Sequence, residues 1–340
     1  KMRVIGIDGG ASKVAGAVVT KIDSKTFKIK GEIIEERYNN QKGYNYNFQP
    51  TDIQMQKNKS PLSAEEIQQG KVYVNTIISI IEKLMTKDST LISIGMPGLK
   101  TKNNRGIDIM ANGPRIPKLH QTISDHFGKS IKIMNLQSDA EMCVWGEEFA
   151  LNGSFRKINN AYYIGGGTGI ADGLKLKNQI CSFEKVASWI ARCWELKLKN
   201  GTSLESIISM SGINEEKNSR DEIAENLGLL FFERVQTIYS GWANIFKIDR
   251  NLSSSHSYLG LLIDKIVIGQ RLAQYLGSIL GKKILNDAKG VFLKHCHEHG
   301  GLLNECFTSK NIDDKIILSK LRESPIIGLG AKAWLQNEKP

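Results

Sequence analysis

The chain has 340 residues, 41% hydrophobic and 24% charged, with a net charge of +11. That length exceeds what one core usually serves and predicts two domains, and the composition is that of a globular protein, not a disordered or fibrous one. Lysines are spread along the chain and no apolar run reaches membrane-spanning length, so neither a nucleic-acid partner nor a membrane is expected. The positive field suits anionic ligands such as nucleotides. Five cysteines stand at 143, 181, 193, 296 and 306 without a CxxC pair. With no apolar leader ahead of the first strand, they set the expectation of a reducing, cytoplasmic protein.

In chain order, Met2 to Val19 predicts a buried strand, a tight turn at Asp8-Gly9-Gly10, and a returning strand. As structure this is a hairpin. As chemistry, Gly9, Gly10 and Ala11 let a phosphate approach backbone N–H groups, Ser12 and Lys13 add a hydroxyl and a cation, and Asp8 orients Mg²⁺ through water. Phe27 to Arg37 continues the sheet, and the polar stretch 38–60 predicts a long loop, read either as a lid or as a surface excursion. Ser63-Ala-Glu-Glu66 is a capping-box signature for a helix to about Met85, with Ile67, Val74, Ile77, Ile78, Ile81 and Leu84 on its apolar face.

Leu91 to Leu99 predicts a strand ending in the turn Gly95-Met-Pro-Gly98. Ile107 to Met110 predicts another, followed by a turn in which Asn112 offers a donor and an acceptor beside Gly113. A helix over Leu119 to Phe127 ends at Gly128. A strand from Ile131 to Leu136 then runs into Ser138 and Asp139, which open a helix. Either residue serves as its cap, but a carboxylate at a strand's carboxyl end also lies where open α/β sheets bind ligands. Tyr162 to Leu174 is a second strand breaking into a glycine-rich turn at Gly166, Gly167, Thr168 and Gly169. Farther on come a short helix from Ser203 to Gly212, a long helix from Glu222 to Phe246, a strand turning into a helix at Gly269 and Gln270, and a terminal helix. His295 and His299 share a helix face, as zinc ligands would and as a solvated helix end would.

These elements, in this order, resemble the ROK branch of the actin-like ATPase superfamily of sugar kinases. Gly6-Ile-Asp-Gly-Gly-Ala-Ser-Lys13 resembles the first phosphate motif, in the variant of N-acetylglucosamine kinase and BadF-type ATPases. Gly95-Met-Pro-Gly98 and Ala111-Asn112 resemble the sugar-side turns. Ser138-Asp-Ala-Glu-Met-Cys-Val-Trp-Gly-Glu147 resembles the catalytic segment, and Gly165-Gly-Gly-Thr-Gly-Ile-Ala-Asp-Gly-Leu174 the second phosphate motif. Leu204-Glu to Ser211-Gly212, Ile266-Val-Ile-Gly269 and Ile327-Gly-Leu-Gly-Ala331 resemble later family segments.

The resemblance implies an α/β fold of two actin-like (ribonuclease H-like) ATPase domains with a cleft between them. Residues 1–115, completed by a helix over 326–340, are expected to form one domain, and 116–325 the other. It implies ATP and Mg²⁺, with Asp139 as general base and phosphates held by Asp8 to Lys13, Gly166 to Gly169, Gly269 and Gln270. A sugar would be held by Gly98, Asn112, Gly113, Ser138 and, as a substitute carboxylate, Glu184. The partners implied are a small-molecule sugar and a nucleotide, and the resemblance is compatible with a homodimer.

Departures are clear. The Glu-x-Gly-His and Cys-x-Cys-Gly-x-x-Gly-Cys motifs are not recognisable, so no zinc is expected where Cys193 stands alone. Ser138 replaces an Asn, and Gln270-Arg271 replace two glycines. They motivate a second reading, a sugar- or nucleotide-binding regulator without turnover. A BadF-like ATPase is a third, disfavoured because the cysteines are scattered.

Overall fold

A computed structural model describes residues 2–214 and 217–338. Lys1 and the last two residues expected in the terminal helix lie outside them. Two compact units divide the chain, Lys1–Gly153 with Glu323–Pro340, and Ser154–Arg322.

The first unit begins with the meander β1 (Arg3–Gly9), β2 (Lys13–Asp23) and β3 (Thr26–Arg37). A short α1 (Ile53–Lys57) interrupts the predicted loop, and α2 (Ala64–Leu84) follows. Then come β4 (Thr90–Met96), the small hairpin β5 (Leu99–Lys100) and β6 (Ile107–Ile109), α3 (Leu119–Phe127), β7 (Ile131–Ile133), β8 (Gln137–Ser138) and α4 (Asp139–Phe149). The sheet order is β3-β2-β1-β4-β7, with β8 also on β4. β1 pairs antiparallel with β2 and parallel with β4. Alternation of side chains along β1 makes both faces apolar. Ile5 and Ile7 join the core built with Ile77, Ile80 and Ile81 of α2. Gly6 faces the C-terminal helix so closely that a Cβ would meet the Ile326 carbonyl oxygen at 2.4 Å.

Helix α2 starts as its sequence predicts, the Ser63 hydroxyl accepting the Glu66 N–H at 3.0 Å. The Glu66 carboxylate, however, does not turn back to the cap. It is fully buried against Arg115, whose Nη2 donates at 2.7 Å. Ile67, predicted on the apolar face, is 45% exposed. Gly128 takes φ 58 just after α3, as a helix-ending glycine does.

In the second unit, β9 (Ala161–Gly166), β10 (Ile170–Leu176) and β11 (Gln179–Cys181) form another meander. It is followed by α5 (Phe183–Val186), α6 (Glu205–Ile208), α7 (Met210–Asn214) and α8 (Arg220–Ser240). The rest is β12 (Lys265–Gly269), α9 (Gln270–Gly277), α10 (Ile279–His299), α11 (Gly301–Cys306), α12 (Ile312–Lys315) and β13 (Ile316–Leu318). The C-terminal helix α13 (Ser324–Asn337) returns to the first unit. The sheet order β11-β10-β9-β12-β13 repeats the first unit's β3-β2-β1-β4-β7, an antiparallel meander continued by parallel strands. Its core gathers Tyr162, Ile164, Ile266 and Ile268 with Phe231 of α8 and Phe292 of α10.

Three expectations need correction. The unit boundary lies at 153/154, not 115/116, because β7 and β8 hydrogen-bond to β4 and α4 packs on α13. The strand predicted over 131–136 stops at Ile133, and β8 lies beyond it at Gln137–Ser138. The helix predicted to reach Phe246 stops at Ser240, where Gly241 takes φ 94. The sequence reading also passed over α10, although its buried Gly281, Ile284, Leu285, Ala288, Lys289, Phe292 and Cys296 recur at helical spacing; a glycine and a lysine on that face weaken its apolar pattern.

Candidate active site

The predicted site residues fall into two groups, one in each unit. In the first unit, Asp8 ends the pairing of β1 with β4, opposite Gly95. Strand β8 joins the same end of β4, Gln137 beside Gly95 and Ser138 beside Met96. Asp139 therefore starts α4 next to Asp8, and a Cβ on Gly95 would stand 3.8 Å from the Asp139 Cα. Parallel pairing sets both acids at the carboxyl end of the sheet.

The electrostatics record this proximity. Asp8 keeps some solvent contact as a residue, but dense packing around its carboxyl pushes its pKa up to about 7. The negative charge of Asp139 adds to the rise, and Lys13 opposes it. Lys13 itself is paired with Glu35 of β3. Two carboxylates thus share a site where burial disfavours charge and the nearest lysine is already engaged. Asp8 fits a divalent cation for that reason. Mg²⁺ characteristically uses one or two carboxylates, water and substrate phosphates rather than a full protein cage, and no group of three metal-capable side chains occurs among the described residues.

The turn after Asp8 is tightly built. A Cβ on Gly9 would lie 2.0 Å from the Met96 sulfur. The Gly10 N–H closes the turn on the Lys13 carbonyl at 2.8 Å. Among the described residues no backbone acceptor meets the N–H groups of Ala11 and Ser12, so these are the ones able to face an anion. Two tyrosines brace the turn from below. Tyr73 donates to the Ala11 carbonyl at 2.6 Å, the Tyr38 N–H donates to the Ser12 carbonyl at 3.2 Å, and their rings stack at 3.6 Å. Neither tyrosine was singled out from the sequence. The pairing of β3 with β2 brings Tyr38 there, and the return of α2 past the turn brings Tyr73.

Gly98, at φ 83, lies against β6, where a Cβ would meet the Ile109 carbonyl oxygen at 2.3 Å. Asn112 and Gly113 line a cavity of about 390 Å³ with Ala11, Tyr73, Gln69 and the segment 44–50. Part of the predicted loop thus lies beside predicted substrate residues. Ser138 stands at the N-cap of α4, exposed, and among the described residues its side chain makes no capping bond.

In the second unit the glycine turn joins β9 to β10. The Gly167 N–H donates to the Gly169 carbonyl at 3.0 Å, which leaves the N–H groups of Thr168 and Gly169 without a backbone acceptor among the described residues. Two side chains hold this turn. Glu205 Oε1 accepts the Ile170 N–H at 2.7 Å, and the Ser211 hydroxyl donates to the Thr168 carbonyl at 2.6 Å. A Cβ on Gly169 would collide with Glu205 at 2.6 Å. Gly269 ends β12 against the Tyr163 ring, and Gln270 stands at φ 60, a left-handed conformation that favours glycine. Glu184 is exposed at the start of α5, with Arg192 at 3.9 Å.

Asp172, inside the second glycine motif, faces away from any ligand role. It is buried with Arg234 at 3.0 Å and accepts the Cys193 N–H at 3.1 Å. Burial pushes the Cys193 thiol well up. His295 pairs with Glu298 at 3.1 Å and stacks on Phe232.

No protein-family model and no curated protein matches the sequence. Solved structures do match in fold. An inorganic polyphosphate/ATP-glucomannokinase from Arthrobacter sp. strain KM is 12% identical, with 99% of this chain and 100% of that one covered and a TM-score of 0.58. A ROK-family glucokinase from Streptomyces griseus, solved with glucose and AMPPNP, is 12% identical over 98% and 99% of the two chains, TM-score 0.59. A ROK-family transcriptional regulator is 13% identical over 98% of this chain and 78% of that one, TM-score 0.51. Two α/β units of repeated sheet order, matched nearly end to end by these structures, give this chain the actin-like ATPase fold of the ROK-family sugar kinases.

Proposed function

We propose that the protein is an ATP-dependent sugar kinase. The observation that carries this reading is the meeting of Asp8 and Asp139 at one end of the sheet, beside a turn with two N–H groups that meet no backbone acceptor among the described residues. Asp139 accepts the proton of a sugar hydroxyl. The oxygen forms its bond to the γ-phosphorus as the bond to the β–γ bridging oxygen breaks, and the electron pair leaves with ADP. Ala11 and Ser12 of the first turn, and Thr168 and Gly169 of the second, bind phosphate oxygens through N–H groups. Asp8 would hold Mg²⁺, and the ion would supply charge neutralisation for the phosphates. Gly98, Asn112, Gly113 and Ser138 face the sugar, with Glu184, the nearest carboxylate in the sequence, as the substitute for the missing Glu-x-Gly-His. Gly269 and Gln270 adjoin the nucleotide.

Asp139→Asn should lower kcat by about 10²–10⁴-fold while a fluorescent ATP analogue binds as in the wild type. Retained turnover in that variant would remove Asp139 from the mechanism. A second reading, a ligand-binding regulator on the same fold, is favoured by Gln270-Arg271 in place of glycines and by the regulator among the fold matches. Saturable sugar binding with no phosphorylation of any hexose or amino sugar would select it.

A further inference from the structure

The cavity in the first unit contains a group that nothing above uses. Gln69 of α2 is 1% exposed. Its Oε1 accepts the backbone N–H of Asn45 at 3.0 Å. Because that N–H is only a donor, the atom facing it must be the amide oxygen, so the orientation of the amide is settled by chemistry. The Nε2 is then the other end, and among the described residues it meets no acceptor. That nitrogen is not among the sealed polar atoms of the structure, so a ligand or water in the cavity that Gln69 lines can accept from it.

The cavity's chemistry narrows what accepts. None of its lining side chains is charged. An anion would find no cation in the wall and a metal ion no carboxylate. What the wall offers is amides, from Gln69, Gln49 and Asn112, and ring surface, from Tyr44, Phe48 and Tyr73. Amides suit hydroxyl groups, and ring faces suit the apolar face of a pyranose. Tyr73 also donates to the Ala11 carbonyl, so a ligand against this wall lies next to the first phosphate turn.

We propose that Gln69 is a specificity-determining residue whose amide donates to a hydroxyl of a neutral sugar, with segment 44–50 as the opposite wall of the subsite. This rests on the sugar-kinase reading for the identity of the ligand. It adds a recognition group on α2 and a wall from a segment with no regular sequence pattern. Through the Asn45 N–H, the same amide ties the wall to α2, so sugar binding and wall placement depend on one side chain.

Gln69→Glu tests this. It keeps the size and the acceptor for Asn45 but has no N–H to give. D-glucose, D-mannose, N-acetyl-D-glucosamine and D-fructose serve as probes with ATP and Mg²⁺. The expected result is a sugar KM raised about 10–100-fold with the ATP KM within about twofold. Gln69→Met serves in its place if urea unfolding shows that Gln69→Glu does not fold. An unchanged sugar KM in a variant of an active kinase overturns the inference and leaves the kinase reading standing. If the wild type phosphorylates none of the probes, ligand-observed NMR of the same sugars decides. Binding that the variant weakens upholds the subsite and sinks the kinase reading. No binding to the wild type overturns both.

Discussion

Asp8 and Asp139 show how little of a residue's chemistry is visible in its local sequence. Each is a plain carboxylate in the chain, 131 positions apart, and each stands at the end of a strand. Their interaction exists because both strands pair with β4, and one charge then raises the other's pKa. Gln270 shows the reverse case, a residue whose strain the sequence comparison foreshadowed. It occupies a position where the resembling family has glycine, and its backbone has the glycine-like φ of 60. A non-glycine residue there carries about 1–2 kcal/mol of strain. Gln270→Gly should therefore stabilise the protein by about 1 kcal/mol in urea unfolding, part of the gain being offset by unfolded-chain entropy and lost side-chain bonds. A destabilised variant would mean that the Gln270 side chain contributes more than the strain costs.

At the scale of elements, both glycine turns are positioned from outside themselves. The first rests on Tyr38 and Tyr73, the second on Glu205 and Ser211. The loop following β11 is held by a buried charge cluster in which Arg234 contacts Asp172 at 3.0 Å and Glu233 at 2.9 Å. Thr237 donates to Glu233 at 2.8 Å. Burial raises the pKa of both acids while Arg234 lowers it. The Asp172 oxygen that meets Arg234 also accepts the Cys193 N–H. The Tyr162 hydroxyl donates to it as well, at 3.5 Å, so removing it leaves three buried donors without that partner, and Asp172→Ala should cost about 3–5 kcal/mol. A denaturation midpoint within 1 kcal/mol equivalent of wild type would show the cluster to be dispensable. Helix α4 depends on a different device. Gly146 and Gly328 allow α4 and α13 to touch, since a Cβ on either would meet a carbonyl oxygen of the other helix at 2.0 Å.

For the molecule as a whole, the raised pKa of Asp8 makes stability depend on pH in a defined direction. The folded value, about 7, lies above the ordinary 3.8. Between these values the folded state keeps a proton that the unfolded chain has released. The stabilisation is complete below about pH 4, falls as pH rises toward 7, and is gone above it. Asp8→Asn removes this dependence. The variant should match the wild type near pH 4.5 and exceed it at pH 8 by on the order of 2 kcal/mol after solvent screening. Mg²⁺ should raise the wild-type melting temperature at pH 8 and leave that of Asp8→Asn unchanged. Equal pH profiles for the two proteins would place Asp8 outside the coupled pair. Among the described residues, no helix is long and apolar enough to cross a membrane.

Local signals in the sequence were enough for much of this protein. Asp8-Gly9-Gly10 and Gly166 to Gly169 read as turns, Ser63 as a cap and Gly128 as a helix end, because each depends on backbone conformation within a few residues. Asn112 and Gly113 were legible as a polar turn, and the structure sets them on a cavity wall. Three things were decided only by tertiary structure. The unit boundary moved to 153/154 because strand pairing, which is not local, keeps β7 and β8 with β4. Glu66 was read as half of a capping box, but Arg115, 49 positions away, takes its carboxylate. Gln69 gave no signal, since an amide on a helix is ordinary until a distant backbone N–H claims its oxygen and leaves its nitrogen facing a cavity. Hydrogen-bond partners far apart in the chain meet only after folding, and they decide which polar groups remain for a ligand.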